Sequence, residues 1–158
     1  MNTENKKIRF NSLLPAILIA GSADALAAII FYTPVITLSN AAKVFGFIAS
    51  AVFGKQAAAG TGIYPWIGLL MHFFVATVWG LIYYFFSKRF LPGGYVLLKC
   101  IAIGALIWIV MNLIVLPVFF GRLFPMSFHS IFKGMGILVV AVGLPFALIL
   151  GPRRCLPQ

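Results

Sequence analysis

The sequence predicts an all-α integral membrane protein, a four-helix bundle with a short interfacial or re-entrant helix between the first two spans. Four apolar stretches, about residues 13–36, 64–86, 100–120 and 131–150, each approach the roughly 20 residues that a helix rising about 1.5 Å per residue needs to cross a bilayer core about 30 Å thick. Hydrophobic residues make up 63% of the 158 and charged residues only 9%, against about half and a quarter in soluble domains. The 12 lysines and arginines sit almost wholly at the ends of the apolar stretches. The segments between them are too short to close a second core, so residues 1–158 read as a single transmembrane domain.

The first stretch follows Lys6, Lys7 and Arg9, and Leu13 to Ala20 with Ala25-Leu26-Ala27 imitates a signal peptide and its cleavage site. Ala28-Ile29-Ile30-Phe31-Tyr32 carries the apolar run onward to Ile36, a length suited to spanning rather than excision. The connection from Thr37 to Ile63 is oddly apolar for a loop in water. Ser39 or Asn40 is placed to cap a helix over about residues 39–54, running through Val44, Phe45, Phe47, Ile48, Ala49, Val52 and Phe53 to a stop at Gly54. Such a helix is too short to span, and an interfacial position over the outer mouth is favoured over a re-entrant one. Its tail, Ala57 to Gly62, reads as small and flexible.

Tyr32, Tyr64 and Trp66 mark the outer boundary, and Tyr83, Tyr84 and Tyr95 the inner one. Pro92-Gly93-Gly94 and Phe124-Pro125-Met126 form turns in the two remaining links, whose shortness makes consecutive spans antiparallel neighbours. Gly21 and Pro34 match Gly104 and Pro117 at one common offset, a faint sign of duplication, while Val52 to Lys55 echoes Phe119 to Arg122 at another.

Orientation follows from the basic residues. Lys6, Lys7, Arg9, Lys88, Arg89, Lys99, Arg153 and Arg154 share one side, and Lys43, Lys55, Arg122 and Lys133 the other. The richer side is cytoplasmic by the positive-inside rule, which places both termini inside. Cys100 and Cys155 then lie where thiols stay reduced, and no disulfide is expected. The net charge of +10 points to the lipid bilayer and its anionic headgroups as partner, not to nucleic acid, because no basic stripe interleaves with aromatics in a folded module.

Polar residues inside the spans carry the chemistry. Asp24 lies on a stripe with Ala20, Ala27 and Ala28, His72 on one with Gly68, Ala76 and Gly80, and Asn112 on one with Gly104 and Trp108. Counted from the outer ends, the three lie about 18, 12 and 8 to 12 Å deep, so a shared intramembrane polar cluster is expected. One reading is that the cluster fixes helix register through hydrogen bonds. The other is a proton- or ion-responsive site, with Asp24 titrating, His72 its partner and Asn112 a neutral donor and acceptor. His72 and His129 are the only imidazoles, but they differ in depth and no further ligand set accompanies them, so no metal, haem or other cofactor is expected. No Ser-His or His-Glu motif, phosphate loop or dinucleotide fingerprint is present, and an enzyme is not expected.

Gly21 to Asp24, Ile48-Ala49-Ser50 with Gly54, Gly68 to Phe73, and Met111-Asn112 followed by Val115-Leu116-Pro117 together resemble a group of small, functionally uncharacterised four-helix proteins of the bacterial inner membrane. The resemblance covers about residues 20–120. It implies a multi-pass bundle in the inner (cytoplasmic) membrane and places the Asp, the His and the Asn-Pro pair among the group's recurring positions. It implies no activity. The functional expectations are a small transporter or channel-like protein, acting as a homo-oligomer, and alternatively a non-catalytic membrane subunit or assembly factor bound to a membrane-protein partner.

Overall fold

The computed structural model describes residues 10–33, 35–90, 96–121 and 127–150, and these are helical with short connections and no strand. Lys6, Lys7, Arg9, Pro34, Pro92-Gly93-Gly94, Tyr95, Arg122, Phe124-Pro125-Met126, Arg153, Arg154 and Cys155 lie outside the described residues, as do the side chains of Tyr32, Lys88 and Arg89. After one 3-10 turn come α1 (Leu13–Tyr32), α2 (Leu38–Phe53), α3 (Lys55–Ala58) and α4 (Tyr64–Phe90). A third long helix joins α5 (Val96–Val110) through a π-helical segment, Met111–Val115, to α6 (Leu116–Phe120). A fourth joins α7 (Phe128–Leu138) through a second π segment, Val139–Gly143, to α8 (Leu144–Leu150). Four stretches are long and apolar enough to cross a membrane: Leu13–Phe31, Tyr64–Phe86, Val96–Phe120 and Phe128–Leu150.

The element boundaries differ from the sequence reading for local reasons. α1 stops at Tyr32 rather than running on to Ile36, because Thr33 precedes a proline and such residues are pushed out of the helical region. The Thr33 hydroxyl turns back to donate to the Ile29 carbonyl at 2.6 Å, satisfying a group that the helix end leaves open. The cap of α2 is Thr37 rather than Ser39 or Asn40: its hydroxyl oxygen accepts from the Asn40 N–H at 3.2 Å. The stop at Gly54 holds, with a φ of 75° and its N–H on the Ser50 carbonyl. Ser127 caps α7 in the same manner, accepting from the Ser130 N–H at 3.2 Å, so the fourth long helix begins at Phe128, three residues earlier than expected.

Both π segments end at a Leu-Pro pair. The N–H of Leu116 bonds the carbonyl of Met111, and that of Leu144 bonds the carbonyl of Val139, each reaching five residues back instead of four. Pro117 and Pro145 follow at once. A proline inside a helix lacks the N–H and drives its ring toward the carbonyl four residues earlier, and a widened turn relieves that clash. The internal likeness in the backbone therefore joins the third and fourth long helices, whereas α1 runs uninterrupted to Tyr32.

The main core occupies one half of the molecule. Leu13, Ala16 and Ile17 of α1 pack with Tyr83 of α4, Ile103 of α5 and Phe146 of α8. Gly143 meets the carbonyl of Cys100 where the third and fourth long helices cross. The other half is completed by α2, which lies against the first turns of α4 and reaches α6, with Phe47 stacked on Phe120 at 4.5 Å between ring centroids. The tail read as flexible folds back on α2, where Ala57 is buried and its carbonyl abuts Gly46. Gly68 makes the α2–α4 contact possible, since a Cβ there would overlap the Phe45 carbonyl.

Replacing Gly68 by Val should therefore separate α2 from α4 and lower stability by about 1–3 kcal/mol, the usual cost of overpacking. Gly136→Ala, where an added Cβ would meet nothing within 4 Å, should be neutral or stabilising by up to about 1 kcal/mol. Unfolding midpoints in mild detergent check both. Equal effects would contradict the packing of α2 described above.

Candidate functional site

The spacing of four among Gly68, His72, Ala76 and Gly80 puts one imidazole on an otherwise small-residue stripe of α4. Facing it on α1 is Gly21, where an added Cβ would lie 2.9 Å from the Phe73 ring and 3.3 Å from Ala76 Cβ. The bare Cα lets the two helices close until His72 Nε2 reaches the Gly21 carbonyl oxygen at 2.9 Å. A carbonyl only accepts, so Nε2 is the donor and carries a hydrogen.

Asp24 stands three residues beyond Gly21, on the same side of α1. Its carboxyl is half-buried and lies within electrostatic reach of the His72 ring. It makes no hydrogen bond to a described residue. The imidazole is flanked by two aromatic edges, Phe45 of α2 at 6.2 Å and Phe73 at 5.5 Å between centroids. The α2 helix thus contributes one wall of the site.

Asn112 is engaged elsewhere. Its Nδ2 donates to the Trp108 carbonyl on its own helix at 2.9 Å. Sequence spacing treats Gly104, Trp108 and Asn112 as one regular α-helical face. The π turn from Met111 breaks that regularity, and a widened turn leaves a carbonyl for a nearby amide to satisfy. The structure accordingly leaves Asp24 within electrostatic reach of His72, with no hydrogen bond between the two, and turns the Asn112 amide back onto its own backbone. His129 is exposed in the first turn of α7. Among the described residues no three His, Cys, Asp or Glu side chains gather in a way that could hold a metal ion.

Two polar features escape the sequence reading. Lys99, counted there as a boundary residue, is only 3% exposed. Its spacing of four from Ile103 and eight from Ile107, both buried, is the signal that marks this face of α5 as inward. Lys133 of α7 donates to the Phe31 carbonyl at 3.4 Å, with its ammonium 5.5 Å above the Phe31 ring. A cation is thereby placed at the C-terminal end of α1, the negative end of its dipole; no local sequence pattern announces a contact between residues so far apart in the chain.

Comparison of the chain with protein-family models, curated proteins and solved structures finds no match.

A double-mutant cycle separates a pair from a trio. Combining Asp24→Asn with His72→Gln should give a coupling energy of at least about 0.5 kcal/mol, as for residues that interact directly. Combining His72→Gln with Asn112→Ala should be additive within about 0.3–0.5 kcal/mol. Unfolding free energies measured in detergent supply both numbers. Coupling of Asn112 to His72 as large as that of Asp24 would contradict the observed geometry.

Proposed function

We propose that this chain is a multi-pass protein of the bacterial inner (cytoplasmic) membrane, with both termini cytoplasmic, and that it acts as a small transporter or channel-like protein whose intramembrane polar site includes Asp24 and His72. One observation carries the reading: the outward surface of the long helices is apolar, unlike that of a soluble domain. Large apolar side chains point outward along the long helices, Leu70 being 73% and Leu97 71% exposed. In water so much contiguous apolar surface would drive aggregation, whereas a bilayer solvates it. The one carboxylate in the long helices, Asp24, is instead half-buried, within electrostatic reach of the imidazole of the facing helix.

Helix register alone does not require an ionisable group. Small residues and the His72–Gly21 bond already join α1 to α4, and a carboxylate at membrane depth costs several kcal/mol. A group kept at that cost is a functional group by default. The basic rims of the helices meet anionic headgroups, and α2 covers the outer mouth as an interfacial helix.

Purified protein in liposomes loaded with a pH-sensitive dye, driven by a potassium diffusion potential, should carry protons faster than protein-free liposomes, and Asp24→Asn should remove at least about nine-tenths of that rate. No excess flux, together with a stable membrane complex recovered from native membranes, would replace this reading by that of a non-catalytic subunit.

A further inference from the structure

We infer that the end of the third long helix is a hinged strap: α6 swings about the π segment Met111–Val115, and the stack of Phe120 on Phe47 latches it to α2. The inference goes beyond the function proposed above and does not depend on it.

Three features weaken the helix at one joint. The N–H of Leu116 reaches back five residues to the Met111 carbonyl, a wider turn than the α-helical one. Pro117 follows and has no N–H, so the carbonyl of Leu113, four residues before it, lacks its ladder donor. Asn112 Nδ2 donates to the Trp108 carbonyl at 2.9 Å, and side-chain bonds of this kind to the preceding turn bend helices. Trp108 is buried, so the joint is pinned on its fixed side. Prolines and π turns are where helices kink sharply.

Burial decides which side of the joint moves. Before it, α5 buries Ile103, Ile107 and Trp108, whereas neither the π segment nor α6 contains a buried residue. The second π segment, Val139–Gly143, supplies the contrast, because it has the same five-residue bond and the same following proline. There Ala141, Val142 and Gly143 are buried, Val139 abuts Gly104, and Gly143 abuts the Cys100 carbonyl. Phe146 and Leu150, beyond Pro145, belong to the main core. Bending at the second joint would break that core, and bending at the first parts α6 from α2.

The latch connects the strap to the polar site. The Phe47 and Phe120 rings stack 6° from parallel with 4.5 Å between centroids. Phe45, two positions earlier and so about 200° around α2, meets the His72 ring. Thus α2 carries the wall of the imidazole on one face and the latch of the strap on the opposite one.

Spin-label distances in the full chain test the joint. Protein carrying Cys100→Ala and Cys155→Ser, in lipid vesicles, is labelled in two pairs at exposed positions: Val52→Cys on α2 with Val118→Cys on the strap, and Leu18→Cys on α1 with Leu148→Cys on α8. Double electron–electron resonance reads each separation. Phe120→Ala is expected to lengthen the first by about 4 Å, the arc of a roughly 20° kink on an arm of about 10 Å from Met111 to Val118. The second pair should stay unchanged, which also reports that the core remains folded. Phe47→Leu, removing the stack from the other side, should lengthen the first pair in the same way, and adding Pro117→Ala, which restores the missing N–H, should cancel the change. A first pair indifferent to both latch substitutions, an equal change in the second pair, or a lengthening that survives Pro117→Ala would overturn the inference.

Discussion

Two side-chain hydrogen bonds join distant parts of the described chain, and both end on main-chain carbonyls of α1. His72 of α4 donates to Gly21, and Lys133 of α7 donates to Phe31. The other side-chain bonds described stay within five residues. In surroundings without water, a carbonyl inside a helix is the one acceptor always present, because the backbone ladder uses one lone pair and leaves the other. The first helix is thereby tied near its middle to the second long helix and near its C-terminal end to the fourth, while packing does the rest.

That arrangement depends on how near the backbones come. Gly21 and Gly68 lie on opposite contacts of α4, one toward α1 and the other toward α2. Between them His72 is held with its Nε2 on α1 and its ring edge toward Phe45 of α2. The same close approach that seats α2 on α4 therefore also walls the imidazole. Stability and site chemistry share these contacts, and a side chain added at either glycine acts on both.

The four long apolar helices were legible because span length and composition are strong, local signals, and the stop of α2 at Gly54 was legible because glycine readily takes a positive φ. Asp24 and His72 were legible as inward residues from the small side chains spaced around them. Three features were not. The π segments depend on Pro117 and Pro145 acting on turns that precede them, so a regular repeat carried through Asn112 does not foresee its bond back to the Trp108 carbonyl. The cap at Thr37 competes with two equally suitable residues just beyond it, and where the preceding chain leaves α1 decides among them. The fold-back of Ala57 onto Gly46 is a tertiary contact between small residues, which carry no directional pattern in sequence.

The assignment of the apolar outward surface to lipid can be tested directly with the chain's three tryptophans. Trp66 is 72% exposed, whereas Trp79 is 8% and Trp108 9% exposed. Single-tryptophan versions of the full chain, made by Trp→Phe substitution and placed in bilayers of acyl-brominated phosphatidylcholine, report lipid contact through fluorescence quenching. Strong quenching of Trp66 with weak quenching of Trp79 and Trp108 is the predicted result. Quenching of Trp79 or Trp108 equal to that of Trp66, or a Trp66 untouched by the brominated lipid, would contradict it.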